Sequence, residues 1–194
     1  MATLLSKGPT HVATLIDQIE DPNCGLPESA LAVFKVLIAT LRSLEENIAV
    51  LDVEIKRRSK ENAVARRLMT IPGVGPITAT AVLALAPAAE TFKTGRDFAA
   101  WLGLTPLQRS TGGKQRLGAT SKRGERTIRG LLILGGSAVV RHACAKGAAA
   151  GSWLAQMLAR KPRMLVTVAL ANKTARIIWA LLVKGERYRA PVVA

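Results

Sequence analysis

From Ser29 onward the apolar positions keep a regular beat. Phe34, Leu37, Leu41, Leu44, Ile48, Leu51 and Ile55 recur at alternating steps of three and four. That spacing is the a/d seam of a coiled coil, sustained over about three heptads, and it predicts one long helix. Arg58 takes the next seam position, so the seam stops short of it. Glu45, Glu46, Asp52 and Lys56 occupy the other faces. A narrow stripe on a lone helix calls for a partner, either a second subunit or the chain's own body. A dimer contact is the expected one.

Upstream, residues 1–28 are interrupted by Pro9, Pro22, Gly25 and Pro27, which break any long element. They read as a leader. Downstream, residues 56–68 continue as a basic helix. The run Thr70-Ile-Pro-Gly-Val-Gly-Pro76 then gives a tight turn, and Ile77–Leu85 an Ala-rich helix. A short helix is expected through Gly95–Leu104. Thr105–Ser121, rich in Gly, Pro, Ser, Thr and bases, reads as a loop. A further helix runs from Lys122 to Ala145, with Gly130, Gly135 and Gly136 set for close helix packing. Residues 152–184 give one or two more helices, broken near Pro162. No repeat of solenoid period is visible. The expected fold is all-α: a leader (1–28), a coiled-coil helix (29–67) and a compact helical domain (68–190).

Composition agrees with helices, because aromatic residues make up only 4% while 49% of the chain is apolar. Charge adds something the pattern does not. The net charge is +15, and a fold gains nothing from that much self-repulsion. Residues 1–60 are nearly balanced, with 7 bases against 8 acids, whereas residues 61–194 hold 21 bases and 5 acids. A polyanionic partner for the second part is the simplest reason. Cys24 and Cys144 lack a CxxC partner, and His11 and His142 stand alone, so no disulfide framework or metal site is expected. Met1–Lys7 has no signal-peptide pattern, and the apolar run Leu131–Val140 is too short for a bilayer. A cytoplasmic protein without membrane association is the expectation.

Two stretches carry candidate chemistry. In Leu68–Ala79 an apolar helix end, Pro-Gly-Val-Gly and a second helix resemble the hairpin of the helix–hairpin–helix DNA-binding fold. Gly73, Val74 and Gly75 would leave amides free at a helix start, which suits a phosphate oxygen. The alternative is a plain helix–helix turn. The second stretch, Arg109–Arg129, holds Arg109, Lys114, Arg116, Lys122, Arg123, Arg126 and Arg129 against Glu125 alone. Hydroxyls and glycines lie among these bases, without the Gly-Lys-Ser/Thr order of a Walker loop. Such a segment suits a phosphodiester backbone. A serine among arginines is also a candidate nucleophile at phosphorus, since cations stabilise the charge that develops. No neighbouring His or Asp supplies a general base.

Taken together, Ile71-Pro-Gly-Val-Gly-Pro76, Asp97-Phe-Ala-Ala-Trp-Leu-Gly-Leu-Thr-Pro106, Ser110-Thr-Gly-Gly-Lys114, Ser121-Lys-Arg-Gly124 and Ile128-Arg129 resemble the C-terminal domain of insertion-sequence 110 family transposases. The resemblance covers about Leu68–Ala190, and the coiled coil before it fits. It implies DNA transposition, with DNA and a structured guide RNA as partners, beside the homo-oligomer expected from the coiled-coil stripe. It implies a serine that joins DNA covalently, at Ser110 or, alternatively, Thr111. Lys114, Arg116, Lys122 and Arg129 match its basic positions. Family members also carry an acidic, magnesium-binding nuclease domain. Asp17, Glu20, Asp21 and Glu28 are too crowded to be that spread quartet, so the nuclease half is expected to be missing, with no cofactor in this chain. The chain then acts with a nuclease domain in trans near the bacterial nucleoid. Alternatively, it is an inactive remnant that binds nucleic acid, or a helix–hairpin–helix recombination accessory protein.

Overall fold

The seam's spacing is realised as α2, a continuous helix over Glu28–Glu61 in a computed structural model that describes residues 9–114 and 116–190. The chain divides into two units, one ending at Glu54 and the other beginning at Ile55. The first contains a 3-10 turn at Pro9–His11, the short helix α1 (Val12–Glu20) and most of α2. The first of these elements fall within the stretch read as a leader, whose residues 1–8 lie outside the described ones. Arg42 of α2 forms an ion pair with Glu20 of α1 at 2.9 Å. That pairing raises the Arg42 pKa through a hydrogen bond and the carboxylate's charge. The buried α2 residue here is Ile38, just off the seam. Leu37, Leu44, Ile48 and Leu51 of the seam remain 54–60% exposed.

The basic helix expected over 56–68 is interrupted. α2 ends at Glu61, and Asn62 adopts extended backbone with its side chain accepting from the Val64 and Ala65 amides. That cap starts a new helix, α3 (Ala63–Leu68). The turn then leads into α4 (Pro76–Leu85), with proline at the first helical position where its missing N–H costs nothing. Next comes α5 (Gly95–Trp101), started by a capping box in which Thr94 and Asp97 satisfy each other's backbone amides.

Between α5 and α6 the fold departs from the sequence reading. Thr105–Ser121 is not a simple loop but an antiparallel hairpin of β1 (Pro106–Gln108) and β2 (Leu117–Thr120). Its register shifts once, from Pro106 opposite Thr120 to Gln108 opposite Leu117, the mark of a bulge. Among the described residues this is the sole sheet, and the fold is mostly α.

The remaining helices are α6 (Arg126–Lys146), α7 (Trp153–Arg160) and α8 (Arg163–Lys184). α7 and α8 part at Pro162, where the sequence placed the break. α8 forms the spine of the second unit and packs on α3, α5, α6 and α7. Its Ala171, Ala175 and Ile178 are fully buried, as are Leu68 of α3, Phe98 of α5 and Ile128 of α6. Each large side chain buried this way stabilises by about 1.5–3 kcal/mol. Phe92, Phe98 and Trp101 form an aromatic cluster with ring centroids 5.2–5.7 Å apart. Helices α6 and α8 are each long and apolar enough to cross a bilayer by length and composition, although the run Leu131–Val140 alone suggested otherwise. In this fold both contribute to the core. Gly136 of α6 lies so close to α8 that a Cβ there would sit 3.1 Å from the Thr167 carbonyl oxygen.

Candidate nucleic-acid interface

The β-hairpin owes its shape to two glycines. Thr111 and Lys114 pair across a two-residue turn, and Gly112 and Gly113 both have positive φ, 57° and 76°. Two successive left-handed residues are what the tight hairpin turn with right-handed strand twist requires. A Cβ at either glycine would meet nothing within 4 Å, so the tip stands clear of the body. The base, by contrast, is anchored. Ser121 N–H donates to Thr105 O, Lys122 N–H to Gly103 O and the Asn172 amide to Leu104 O. Lys122 pays for this closure with φ of 53°, uncommon outside glycine.

This frame places Arg109, Ser110, Thr111, Lys114 and Arg116 together at the exposed end of the hairpin. Arg109 N–H donates to Arg116 O at 2.8 Å, so the two arginines face each other across the strands. The Ser110 hydroxyl accepts from the Arg116 N–H and donates to Gln108 Oε1, each at 3.3 Å. Gly118 lets the Arg109 side chain lie across β2, since a Cβ there would be 3.3 Å from Arg109 Nε. Lys122, Arg123 and Arg126 follow, all exposed. Arg126 opens α6, where the helix dipole is already positive, so it gains nothing from the helix and adds to the local attraction for anions. The lone acid of the segment has a structural task. Glu125 is the N-cap of α6, accepting from the Thr127 and Ile128 amides.

Not every expected ligand-binding residue is placed to meet a ligand. Arg129 is half-buried, and its guanidinium donates to Leu102 O at 3.1 Å and Glu125 O at 3.4 Å. It ties the end of α5 to the start of α6. In the turn between α3 and α4, Val74 is 5% exposed and points into the core. Gly73, with φ of 84°, is pressed against α6: its missing side chain makes room for Gly135. Of the three turn residues, only Gly75 has open space around it. As the N-cap of α4 it provides no side-chain cap for the first-turn amides. The acidic residues near the N-terminus do not fit a magnesium site. Glu20 is paired with Arg42, Asp21 accepts from the Asn23 amide, and no cluster of His, Cys, Asp or Glu suited to a metal occurs among the described residues.

The stretch that builds this surface, residues 65–150, matches the family described as Transposase IS116/IS110/IS902. Across this stretch the chain belongs to that transposase family. Its relatives agree. The chain is 49% identical over 164 residues to a Pseudomonas aeruginosa protein named "Probable family 20 transposase", covering 84% of this chain and 48% of the relative. It is 39% identical over 165 residues to the transposase for insertion sequence element IS1111A of Coxiella burnetii, covering 85% and 45%. With the transposase for element IS1328 of Yersinia enterocolitica the identity is 36% over 140 residues, 72% and 42% of the two chains. The chain thus spans about half the length of the curated relatives it matches. The transposase-family stretch holds both faces of the Gly73–Gly135 contact, the whole β-hairpin and every sequence-predicted site residue.

Sequence reasoning missed the hairpin and with it Gln108, the partner of the Ser110 hydroxyl. The available signal was Gly112-Gly113 between polar flanks, a two-residue hairpin turn. It was obscured because neither flank alternates apolar and polar residues.

Proposed function

We propose that the segment Arg109–Arg126 is a nucleic-acid interface that serves DNA transposition, holding a phosphodiester backbone and presenting Ser110 to it, with Thr111 as the alternative hydroxyl. The observation that carries this reading is an anchored hairpin whose projecting end combines a hydroxyl with Arg109, Lys114 and Arg116. Glu125, the only carboxylate in the segment, is already committed to capping α6. In the chemical step, Ser110 Oγ gives up its proton to solvent water and forms an ester bond to a strand phosphorus. The bond from phosphorus to the sugar oxygen breaks, and that oxygen takes a proton from solvent water and leaves as a hydroxyl. Attack by another strand's hydroxyl then releases the serine. Arg109 and Arg116 flank Ser110, so they offset charge on the phosphoryl oxygens. Magnesium chemistry belongs to an acidic nuclease domain, for which the described residues of this chain supply no fitting site.

The open face of α2 fits a second copy of the chain, giving a homo-oligomer, and the basic surface fits structured RNA as well as DNA. Such a protein works on the chromosome in the bacterial cytoplasm. A second reading, binding without chemistry, is favoured by one observation: the Ser110 hydroxyl bonds to an amide side chain and a backbone N–H, neither of which is a general base.

The test is a titration of the purified chain against duplex DNA, a branched DNA junction and the element's flanking noncoding RNA at two salt concentrations. Charge reversal of Lys114, Arg116 and Lys122 together is expected to weaken binding and flatten its salt dependence. Ser110→Ala is expected to leave binding intact. Unchanged affinity in the charge-reversal variant would remove the hairpin from the interface. A covalent protein–DNA adduct that forms on addition of a nuclease domain in trans, and is lost in Ser110→Ala, separates the chemical reading from the binding-only one.

A further inference from the structure

A second cationic site lies on the other flank of the turn that joins α3 and α4. A cavity of about 400 Å³ is lined by Ala63, Arg66, Arg67, Thr70 and Arg187. Three arginines therefore line one small space. Among the described residues none of the three is paired with a carboxylate. Like charges gathered in this way repel, and no acidic group in the cavity offsets the repulsion.

The arrangement is held by the backbone. Arg67 Nη1 donates to Gly185 O at 2.7 Å, capping the end of α8. The Thr70 hydroxyl donates to Arg67 O at 2.6 Å and accepts from the Tyr188 N–H at 3.1 Å. These contacts pin the segment after α8 against the end of α3, which brings Arg187 to the cavity wall. One atom remains unexplained: Arg67 Nε is buried and has no hydrogen-bond partner. A buried donor without a partner is rare in a folded protein and needs an explanation, of which a bound ion is one. With Nη1 committed to Gly185, the edge of the guanidinium formed by Nε and Nη2 is the fork left over. That is the edge that takes an oxyanion in bidentate fashion.

We propose that this cavity is a phosphate site, and that it holds one backbone phosphate of a nucleic-acid strand separately from the β-hairpin. Three guanidinium groups exceed what a single carboxylate would need. They suit a phosphate, which offers several acceptor oxygens to planar donors. The site also directly precedes the turn Ile71–Pro76, so a strand held here would run past the open start of α4. The inference rests on the reading of the second unit as a nucleic-acid platform, but on none of the residues that carried that reading.

The experiment uses the full chain and the double variant Arg66→Gln with Arg187→Gln, leaving Arg67 in place because it caps α8. Duplex DNA is titrated at several salt concentrations, beside the hairpin variant Lys114→Gln with Arg116→Gln. Equal melting temperatures of wild type and double variant establish that the fold is intact. The expected result is weaker binding by the cavity variant, with the slope of log affinity against log salt reduced by about one, the value for one lost phosphate contact. The two variants combined should lower affinity by the product of their separate factors. If the cavity variant binds DNA like wild type while the hairpin variant binds weakly, the phosphate site is overturned and the platform reading stands. If neither variant changes binding, both fail. A last arm adds inorganic phosphate: stabilisation of wild type but not of the cavity variant, with DNA affinity equal in both, would assign the cavity to free phosphate and overturn the nucleic-acid assignment.

Discussion

Gly73 and Gly135 meet backbone to backbone: a Cβ on Gly135 would lie 2.0 Å from the Gly73 carbonyl oxygen, and one on Gly73 would lie 2.8 Å from that of Gly135. The turn between α3 and α4 is therefore locked onto the middle of α6. This contact explains two glycines at once, one in a turn motif and one in a helix interior where glycine otherwise costs stability. It also fixes where the open Gly75 and the start of α4 stand relative to α6, which carries Arg126 at its first position.

Gly135→Ala is accordingly expected to destabilise the chain by about 3 kcal/mol, the upper range for forcing a methyl group into a packed core. Gly130→Ala is the control. Gly130 lies in the same helix, and a Cβ there would meet nothing within 4 Å, so alanine should stabilise by about 0.4–1 kcal/mol. Urea unfolding of the two variants measures both. Equal effects would mean that the glycine-to-glycine contact does not set the packing.

Arg129 offers a test of role. Its guanidinium reaches Leu102 O, a backbone acceptor left over at the end of α5, and Glu125 O at the start of α6. Arg129→Gln should cost about 1–3 kcal/mol of stability through the unpaired Leu102 carbonyl. The slope of DNA affinity against salt, measured well below the melting temperature, should stay as in wild type. A shallower slope would return Arg129 to the set of phosphate contacts.

Much of this was legible in the sequence. Periodicity alone placed α2, because a seam sustained over many turns leaves little choice of structure. The break between α7 and α8 followed from Pro162, which lacks the N–H a continuous helix needs. The basic surface followed from charge. The remainder depended on contacts distant in sequence. Nothing local distinguishes Arg126, which is exposed, from Arg129, which turns inward to α5. Nothing local shows that Gly73 serves packing while Gly112 and Gly113 serve a turn. The β-hairpin was hidden because its strands are held at their base by Gly103, Leu104 and Asn172 rather than by strand-forming residues of their own.

Glu125→Ala should move stability and binding in opposite directions. The carboxylate caps α6 through two amides, and losing such a cap costs about 1 kcal/mol. It is also the one negative side chain in Arg109–Arg129, so its removal should strengthen attraction for a polyanion. The expected outcome is a lower melting temperature together with tighter duplex-DNA binding at low salt. A variant that is both less stable and weaker in binding would show that the position of α6, rather than the charge of the segment, governs affinity.

The α2 seam carries the last prediction. Leu37, Leu44, Ile48 and Leu51, four positions of the a/d pattern, are more than half exposed. An apolar row of this kind is stable in water only when something covers it, and a matching row on a second copy is geometrically suited to do so. Sedimentation equilibrium of the chain at micromolar concentration should show an oligomer. Leu44→Lys with Ile48→Lys should dissociate it, raising the dissociation constant on the order of a thousandfold or more, because each such residue contributes about 1.5–3 kcal/mol on full burial. Both positions lie in the first unit, so melting of the second unit should be unaffected, and DNA affinity per chain should fall only through loss of paired binding. A wild-type chain that stays monomeric at high micromolar concentration would show that the seam is covered by something other than a second copy.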